Sequence, residues 1–311
     1  MPQVQEIKIT VELSQRLTTE KPRGDIVDVF LLQMGNGLIV GSVYALVALG
    51  LNLIWSITDI PDFAQGSFYV LSAYAGFFVV TLLKMPFLVA LLCGMSLGAA
   101  LSFLCERFLY RRWRERTFRD AARVQLLVAI ALFFLFANIA NALWTAKPRI
   151  FPSYMEGSLF NFSYIRINVL LSAVILFILV YLFIMKTKIG KAIRAASMDP
   201  GMAQVLGINI DTVNSVVFSL GGALSGAAAV LVAPLYSVFP SMGDLPLLKA
   251  LVVVILGGFG SVAGVLICGL GLGLLEALGA MYVSSAYQHG YAFFILILVL
   301  LLKPKGLFGR V

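Results

Sequence analysis

The sequence predicts an all-α protein, a polytopic transmembrane helical bundle of eight to ten spans. Hydrophobic residues make up 60% of the 311 residues and charged residues only 12%, whereas soluble domains carry about 25% charged residues. Long apolar segments recur along the chain at the length that a bilayer requires, and basic residues gather in the loops between them. We therefore expect a polar tail over residues 1–28, followed by one membrane domain over residues 29–311.

The segment LGGFGSVAGVLICGLGLGLLEAL, residues 256–278, combines many glycines with one carboxylate. Glycine is tolerated in membrane helices and lets two helix backbones approach closely. At helical spacing Gly269, Gly273 and Glu276 lie on one face. Because a carboxylate in hydrocarbon is costly, this face is predicted to look into protein or a wet cavity.

The first apolar segment, residues 29–57, carries a stripe of small residues that includes Gly41 and ends in Asn52. It is followed by TDIPDFAQG, residues 58–66, which is either a surface loop or a break in a helix at membrane depth that lines a substrate cavity. The candidate residues of a translocation pathway are Asn52, Asp62, Phe63, Gln65 and Glu276.

Four of the five pathway candidates have a simpler structural interpretation. An interhelical hydrogen bond explains Asn52, a solvated loop explains Asp62 and Gln65, and pairing with a basic side chain at a subunit contact explains Glu276. Lys249 is expected to extend its ammonium group to the membrane interface.

The distribution of basic residues predicts the topology. Residues 107–123 and 186–209 are predicted to be cytoplasmic, and residues 145–167 and 233–248 to lie outside. Both basic loops fall on one side if residues 246–259 form a short crossing, which gives nine spans with the N-terminus outside. A broken helix at residues 58–66 would change the total to eight or ten.

The cytoplasmic segment 186–210 is longer than a simple connection requires. IGKAIRAAS is expected to form a short helix, and Asp199 to cap a second helix that begins near Pro200. A transporter subunit without its own ATPase must receive its motion from a partner ATPase, through a rigid helix that contacts the partner. Residues 187–207 are a candidate for this contact.

Several chemistries have no motif in the sequence. There is no GxxxxGK[ST] phosphate loop, no GxSxG, no HExxH and no cluster of histidine and acidic residues, so we expect no catalytic residue and no metal site. No repeated pore signature indicates a channel. The net charge of +8 is explained by loop topology and not by nucleic-acid binding.

Four stretches, taken in order, resemble one family. They are GSVYALVALGLNLIWSITDIPDFAQGSFYVL, RAASMDPGMAQVLGIN, KALVVVILGGFGSVAGVLICGLGLGLLEAL and KPKGLFGR, and they extend over most of residues 35–310. This set resembles the LivH-type permease subunits of branched-chain amino-acid ABC importers.

The resemblance implies a subunit of the bacterial cytoplasmic (inner) membrane that forms the pathway with a sister permease, two ABC ATPase subunits and a soluble substrate-binding protein. ATP and Mg²⁺ would then be held by the ATPase subunits, with no cofactor on this chain. The ATPase-contacting loop would contain Arg194, Ala195, Asp199, Ala203, Gly207 and Asn209. The helix-packing block would contain Gly257, Gly258, Gly260, Ser261 and Gly264.

The chain departs from the family at residues 62–66, where Asn-Phe-Ala-His-Gly is common and this chain has Asp62 and Gln65. Urea, short amides or another small polar solute are therefore alternative substrates. A second alternative is a secondary carrier driven by an ion gradient through Glu276.

Overall fold

The structure, a computed structural model, describes residues 24–116, 121–152, 158–159, 162–303 and 306–308. Over these residues the chain is a bundle of helices, which confirms the predicted all-α class. The helices are α1 (Gly24–Thr58), α2 (Ala64–Thr81), α3 (Phe87–Cys105), α4 (Arg111–Arg116), α5 (Ala121–Trp144), α6 (Tyr164–Lys186), α7 (Lys188–Ala196), α8 (Pro200–Val205), α9 (Ile210–Val232), α10 (Asp244–Gly257), α11 (Val262–Tyr282) and α12 (Gln288–Leu302).

Four short elements complete the described part of the chain. A π-helical turn, Glu106–Tyr110, joins α3 to α4, and a 3₁₀ turn, Ser285–Tyr287, precedes α12. The two-residue strands β1 (Ser158–Leu159) and β2 (Phe162–Ser163) pair antiparallel. Residues 1–23 of the predicted polar tail lie outside the described residues, and Gly24 already begins α1.

Seven described segments are long and apolar enough to cross a membrane. They are Val29–Thr58, Phe87–Trp113, Arg123–Trp144, Tyr164–Lys186, Ile210–Val232, Val262–Tyr282 and Ser285–Leu302. The predicted total of eight to ten is higher because it also counts the regions of α2 and α10. Helix α10 has only 14 residues, and at 1.5 Å per residue it is shorter than the roughly 30 Å of a bilayer core.

Helix α1 lies at the centre of the bundle. The most apolar stretch of its span is 83% buried, against 17% for α5 and 6% for α12. It packs against α9, α10 and α11. The peripheral helices instead expose large apolar side chains such as Phe134, Ile178 and Leu301, an exterior that suits contact with lipid.

The segments predicted to share a side of the membrane meet at the same end of the bundle. At one end the predicted outer segments are joined by two backbone hydrogen bonds between Arg149 and Val238, with N–O distances of 2.9 and 2.8 Å. At the other end Arg111, in one predicted cytoplasmic region, forms a salt bridge of 3.1 Å with Asp211, which lies two residues beyond the other. The contacts are those expected if the chain alternates between two sides as the basic loops predict.

Small residues form the contact between α1 and α11. A Cβ atom on Gly269 would lie 2.6 Å from the Cβ of Ala45, and one on Gly273 would collide with the Cα of Gly41. The structure thus brings together the two small-residue stripes that the sequence analysis identified separately. Helices α3 and α9 meet in the same way, with Gly98 against Gly222.

The glycine-rich turn between α10 and α11 places Gly257, Gly258, Gly260, Ser261 and Gly264 at a crowded junction. Gly258 and Gly260 have φ values of 82° and 75°, a region that glycine adopts without a Cβ penalty. The Ser261 hydroxyl accepts a hydrogen bond of 3.0 Å from the Gly264 N–H and caps α11. A Cβ on Gly264 would collide with the carbonyl of Gly257, so this turn requires small residues.

Candidate functional site

The predicted coupling loop is a hairpin of two short helices, α7 and α8, between α6 and α9. The Thr187 hydroxyl accepts a hydrogen bond of 2.9 Å from the Gly190 N–H at the start of α7. Gly190, Ile193 and Ala196 form the buried face of α7. A Cβ on Gly190 would collide with the carbonyl of Ile184, so α7 is held tightly against the end of α6.

Three of the six predicted coupling residues satisfy backbone groups at helix ends. Arg194 donates a hydrogen bond of 3.0 Å to the carbonyl of Ile184 in α6. The Asp199 carboxylate accepts from the Met202 N–H at 2.9 Å, which is the cap that the sequence predicts. The Asn209 side chain accepts from the Thr212 N–H at 3.1 Å and caps α9.

The other three predicted coupling residues shape the hairpin. Ala203 is buried, Ala195 is half-buried, and Gly207 is exposed with a φ of 82°. Such a backbone conformation favours glycine and allows the chain to turn from α8 towards α9. All six residues therefore fix the position and shape of the hairpin.

The hairpin exposes large apolar side chains, a feature that was not singled out from the sequence. Met198, Met202, Val205 and Leu206 are all exposed. Four large apolar side chains on a segment between two long helices form a surface that suits contact with another protein. Their spacing in RAASMDPGMAQVLGIN was visible in the sequence, but their exposure depends on how the hairpin packs.

The segment around Asp62 is buried and not solvated, contrary to the loop interpretation. The Tyr110 hydroxyl donates a 2.8 Å hydrogen bond to Asp62 Oδ1, and the Ala64 N–H donates to the same oxygen at 3.1 Å. Burial raises the pKa of Asp62, which lies between α1 and α2, from its ordinary 3.8 to about 6, although both hydrogen bonds oppose the shift. Its second oxygen, Oδ2, has no partner among the described residues.

Gln65 and Asn52 also make internal contacts. Gln65 is buried, and its Oε1 accepts a 2.8 Å hydrogen bond from the Ser225 hydroxyl of α9. Asn52 Oδ1 accepts from the Gly260 N–H at 3.0 Å, so Asn52 is bonded to the turn between α10 and α11 and not, as expected, to another helix. Phe63 is half-buried at the start of α2.

Glu276 forms a buried ion pair inside this chain. Its Oε2 lies 2.7 Å from Lys249 Nζ, and the two side chains are 1% and 2% exposed. Lys249 also donates 2.8 Å to the Tyr44 hydroxyl, which lies 3.2 Å from Glu276 Oε2. The Nδ1 of His289 is 3.1 Å from the same ammonium group. We refer to Tyr44, Lys249, Glu276 and His289 as the ion-pair cluster.

This cluster corrects one expectation and refines another. Lys249 does not extend to a membrane interface, because it is buried with its carboxylate partner. Glu276 is paired with a basic side chain, as one interpretation held, but within the chain and not across a subunit contact. The signal available in the sequence was the presence of two lone opposite charges in apolar segments. Tyr44 and His289 gave no comparable signal.

Two cavities adjoin the ion-pair cluster. The first, of about 230 Å³, is lined by Glu276 and by polar side chains that include Gln33, Asn36 and Arg166. The second, of about 340 Å³, is lined by Tyr44, Lys249 and His289. Both share a wall, which consists of Ile39, Val40, Leu235, Tyr236 and Gln288.

A third cavity, of about 640 Å³, lies at the opposite end and is lined by residues such as Arg107 and Arg111. Of the five predicted pathway residues, Glu276 lines one of these three cavities and the other four line none of them.

In the part of the chain that the structure describes, no group of three or more His, Cys, Asp and Glu side chains could hold a metal ion.

Comparison with known proteins identifies relatives along most of the chain. Residues 33–302 match the family described as "Branched-chain amino acid transport system / permease component". The chain is 33% identical to the high-affinity branched-chain amino acid transport system permease protein BraD of Pseudomonas aeruginosa, over 90% of this chain and 96% of BraD. It is also 33% identical to the corresponding LivH protein of Escherichia coli K12, with the same coverage. A probable LivH of Methanocaldococcus jannaschii is 28% identical over 88% of this chain and 90% of that protein.

Proposed function

Because the chain belongs to the family of branched-chain amino acid transport system permease components, we propose that it carries these amino acids across a bacterial cytoplasmic membrane. The proposed assembly pairs it with a sister permease, two ABC ATPase subunits and a soluble binding protein. It is a transport subunit and not an enzyme, and ATP and Mg²⁺ belong to the ATPase subunits in this proposal.

The observation that carries the proposal of an external motor is the apolar surface of the α7–α8 hairpin. Val205 is 82% exposed and Leu206 74% exposed. They lie in a segment that begins with basic residues, which predicts that it is cytoplasmic. Burying such side chains against a partner is favourable by roughly 25 cal/mol per Å² of apolar surface. An ATPase subunit that covers Met198, Met202, Val205 and Leu206 accounts for their exposure in the isolated chain.

The hairpin also has the connections that force transmission needs. Arg194 ties α7 to the end of α6, and Asn209 caps the start of α9. Because helices are rigid and closely packed, movement of the hairpin would displace α6 and α9 together. We propose that ATP-driven closure of the ATPase subunits moves the hairpin and opens the pathway first outward and then inward.

Paired variants test the docking surface. Val205→Asp places a charge on the hairpin, and Ile150→Asp places the same charge on a residue of similar exposure, 84%, at the opposite end of the bundle. We expect Val205→Asp to reduce co-purification of the ATPase subunits in mild detergent and to reduce ATP-dependent leucine uptake. Ile150→Asp should retain the ATPase subunits. Equal retention by both variants would contradict docking at this surface.

Uptake assays also distinguish the proposed function from the two alternatives, another solute class and an ion-driven carrier. A panel of leucine, urea and short amides in the uptake assay identifies the solute class. An ion-driven carrier would need a carboxylate that exchanges its cation freely, whereas Glu276 is already paired with Lys249. Uptake into vesicles by this chain alone, with an ion gradient and no ATP, would favour that carrier and overturn the ATP-driven proposal.

A further inference from the structure

Helix packing alone does not explain the ion-pair cluster, because burying two charges is less favourable than packing apolar side chains at the same place. Removing two charges from water carries a large desolvation penalty, and apolar residues of similar volume often stabilise a protein as well or better. The helices α1, α10 and α11 already pack through small and apolar side chains. Ionisable residues inside membrane bundles are therefore indicators of a functional site.

The pair retains unused hydrogen-bonding capacity. Glu276 Oε1 is buried and has no hydrogen-bond partner among the described residues, although its Oε2 has two. A buried acceptor without a partner needs an explanation. The ammonium of Lys249 has three neighbours, and the third, His289, is exposed at the start of α12. A ligand carboxylate forms a charge-assisted hydrogen bond with an ammonium group and can take the place of His289.

The cavities beside the two charges differ in character. Glu276 lines the cavity that also contains the polar side chains of Gln33 and Asn36 and the guanidinium of Arg166, which donates a hydrogen bond to Asn36. Lys249 lines the cavity with a mainly apolar wall, to which Val43, Leu235, Phe239, Met242 and Leu245 contribute. Its volume of about 340 Å³ lies within the range of small-molecule sites, about 300–1,000 Å³.

We propose that Glu276 and Lys249 form a recognition site for the zwitterionic head group of an α-amino acid with an apolar side chain. Glu276 accepts hydrogen bonds from the ligand ammonium, Lys249 donates to the ligand carboxylate, and the apolar side chain occupies the larger cavity. This inference rests on the proposed function as an amino-acid permease and extends it to named residues.

The arrangement selects by charge. A zwitterion brings one charge of each sign, so its ammonium can bind the free Oε1 of Glu276 and its carboxylate can take the place of His289 on Lys249 while the ion pair stays intact. A neutral solute such as urea supplies neither charge, and its hydrogen bonds to these two ions are weaker than those of charged groups. The site therefore favours amino acids over the neutral alternatives.

The test uses saturation-transfer NMR to measure the binding of L-leucine to the purified full-length chain in nanodiscs. Empty nanodiscs give the background signal. We expect saturation transfer to L-leucine, strongest at its methyl groups because these lie in the apolar cavity. Competition by 4-methylpentanoate, which lacks the ammonium group, and by 3-methylbutylamine, which lacks the carboxylate, should be at least about tenfold weaker. Equal competition by both analogues would overturn the inference without any variant.

Three variants assign the contacts. Glu276→Gln and Lys249→Met should each raise the apparent Kd for leucine at least about tenfold. Glu276→Gln should also reduce the preference for leucine over 4-methylpentanoate. Glu106→Gln is the matched control, because Glu106 is also buried but bonds to Ser215 near the opposite end of the bundle. It should retain leucine binding and the analogue preference.

The outcomes separate this inference from the proposed function. A purely structural ion pair would lower the thermal stability of both variants and leave the order of the analogues unchanged, which would overturn the recognition site. ATP-dependent leucine uptake that requires the chain, together with no leucine binding to the chain itself, would also overturn it while the proposed function stands. Loss of the proposed function would appear separately, as uptake that is unaffected by deletion of the chain.

Discussion

A Cβ atom added to Gly41 would lie 2.8 Å from the carbonyl oxygen of Gly269, so α1 and α11 touch through their backbones. This contact places the central helix of the bundle against the helix that carries Glu276. Because Tyr44 is on α1 and Glu276 on α11, the close approach also sets the 3.2 Å separation of their oxygens. Helix packing and the ion-pair cluster are therefore parts of one arrangement.

Gly269→Val is expected to destabilise the chain. The added Cβ would lie 2.6 Å from the Cβ of Ala45, and forced overpacking typically costs about 1–3 kcal/mol. The measurement is thermal unfolding in detergent. Gly271→Val is the matched control, since a Cβ at Gly271 meets nothing within 4 Å. If both variants lost the same thermal stability, the loss would come from helix propensity and not from the contact with α1.

Gly264→Leu should impair folding and assembly. Its Cβ would collide with the carbonyl of Gly257 and lie 2.8 Å from the Ser261 hydroxyl, so the cap of α11 and the turn after α10 cannot both persist. We expect a lower yield of folded chain in size-exclusion chromatography. Gly290→Leu, in open space at the start of α12, should retain the yield. A wild-type yield for Gly264→Leu would contradict the described turn.

Arg194→Glu should abolish uptake while membrane insertion stays intact. The substitution removes the hydrogen bond to the Ile184 carbonyl and places a negative charge beside a helix C-terminus, which is unfavourable. Uptake and membrane content would be measured together. Lys191→Glu makes the same charge change at an exposed position of α7 and should retain uptake. Normal uptake by Arg194→Glu would exclude the hairpin connection from the mechanism.

Asp62→Asn should alter the pH dependence of stability. The pKa of Asp62 is raised in the folded chain to about 6 from 3.8, so the folded state binds this proton more tightly than the unfolded state. The contribution of Asp62 to stability is therefore largest below about pH 4 and declines as the pH rises to about 6. Relative to the wild type, the melting temperature of Asp62→Asn should increase over this window. A constant difference between pH 4 and 7 would contradict the raised pKa.

The helix order could be read from the sequence because its physical basis is local. A bilayer requires about 20 apolar residues for each crossing, and segments such as residues 29–57 and 211–232 show this directly. The Asp199 cap was equally local, since a cap acts within three residues of its own position. The span total could not be read in this way, because α10, with 14 residues, is shorter than the length on which the rule depends.

Composition and local pattern were sufficient to predict the helical class, the order of the spans, the family resemblance and the lone charges in apolar segments. Three-dimensional packing was needed to establish that Lys249 and Glu276 meet at 2.7 Å, that Tyr110 bonds to Asp62, and that Val205 is exposed. The difference lies in distance along the chain. Hydrophobicity and capping act between near neighbours, whereas pairing of charges and exposure of a side chain depend on which helices approach one another in space.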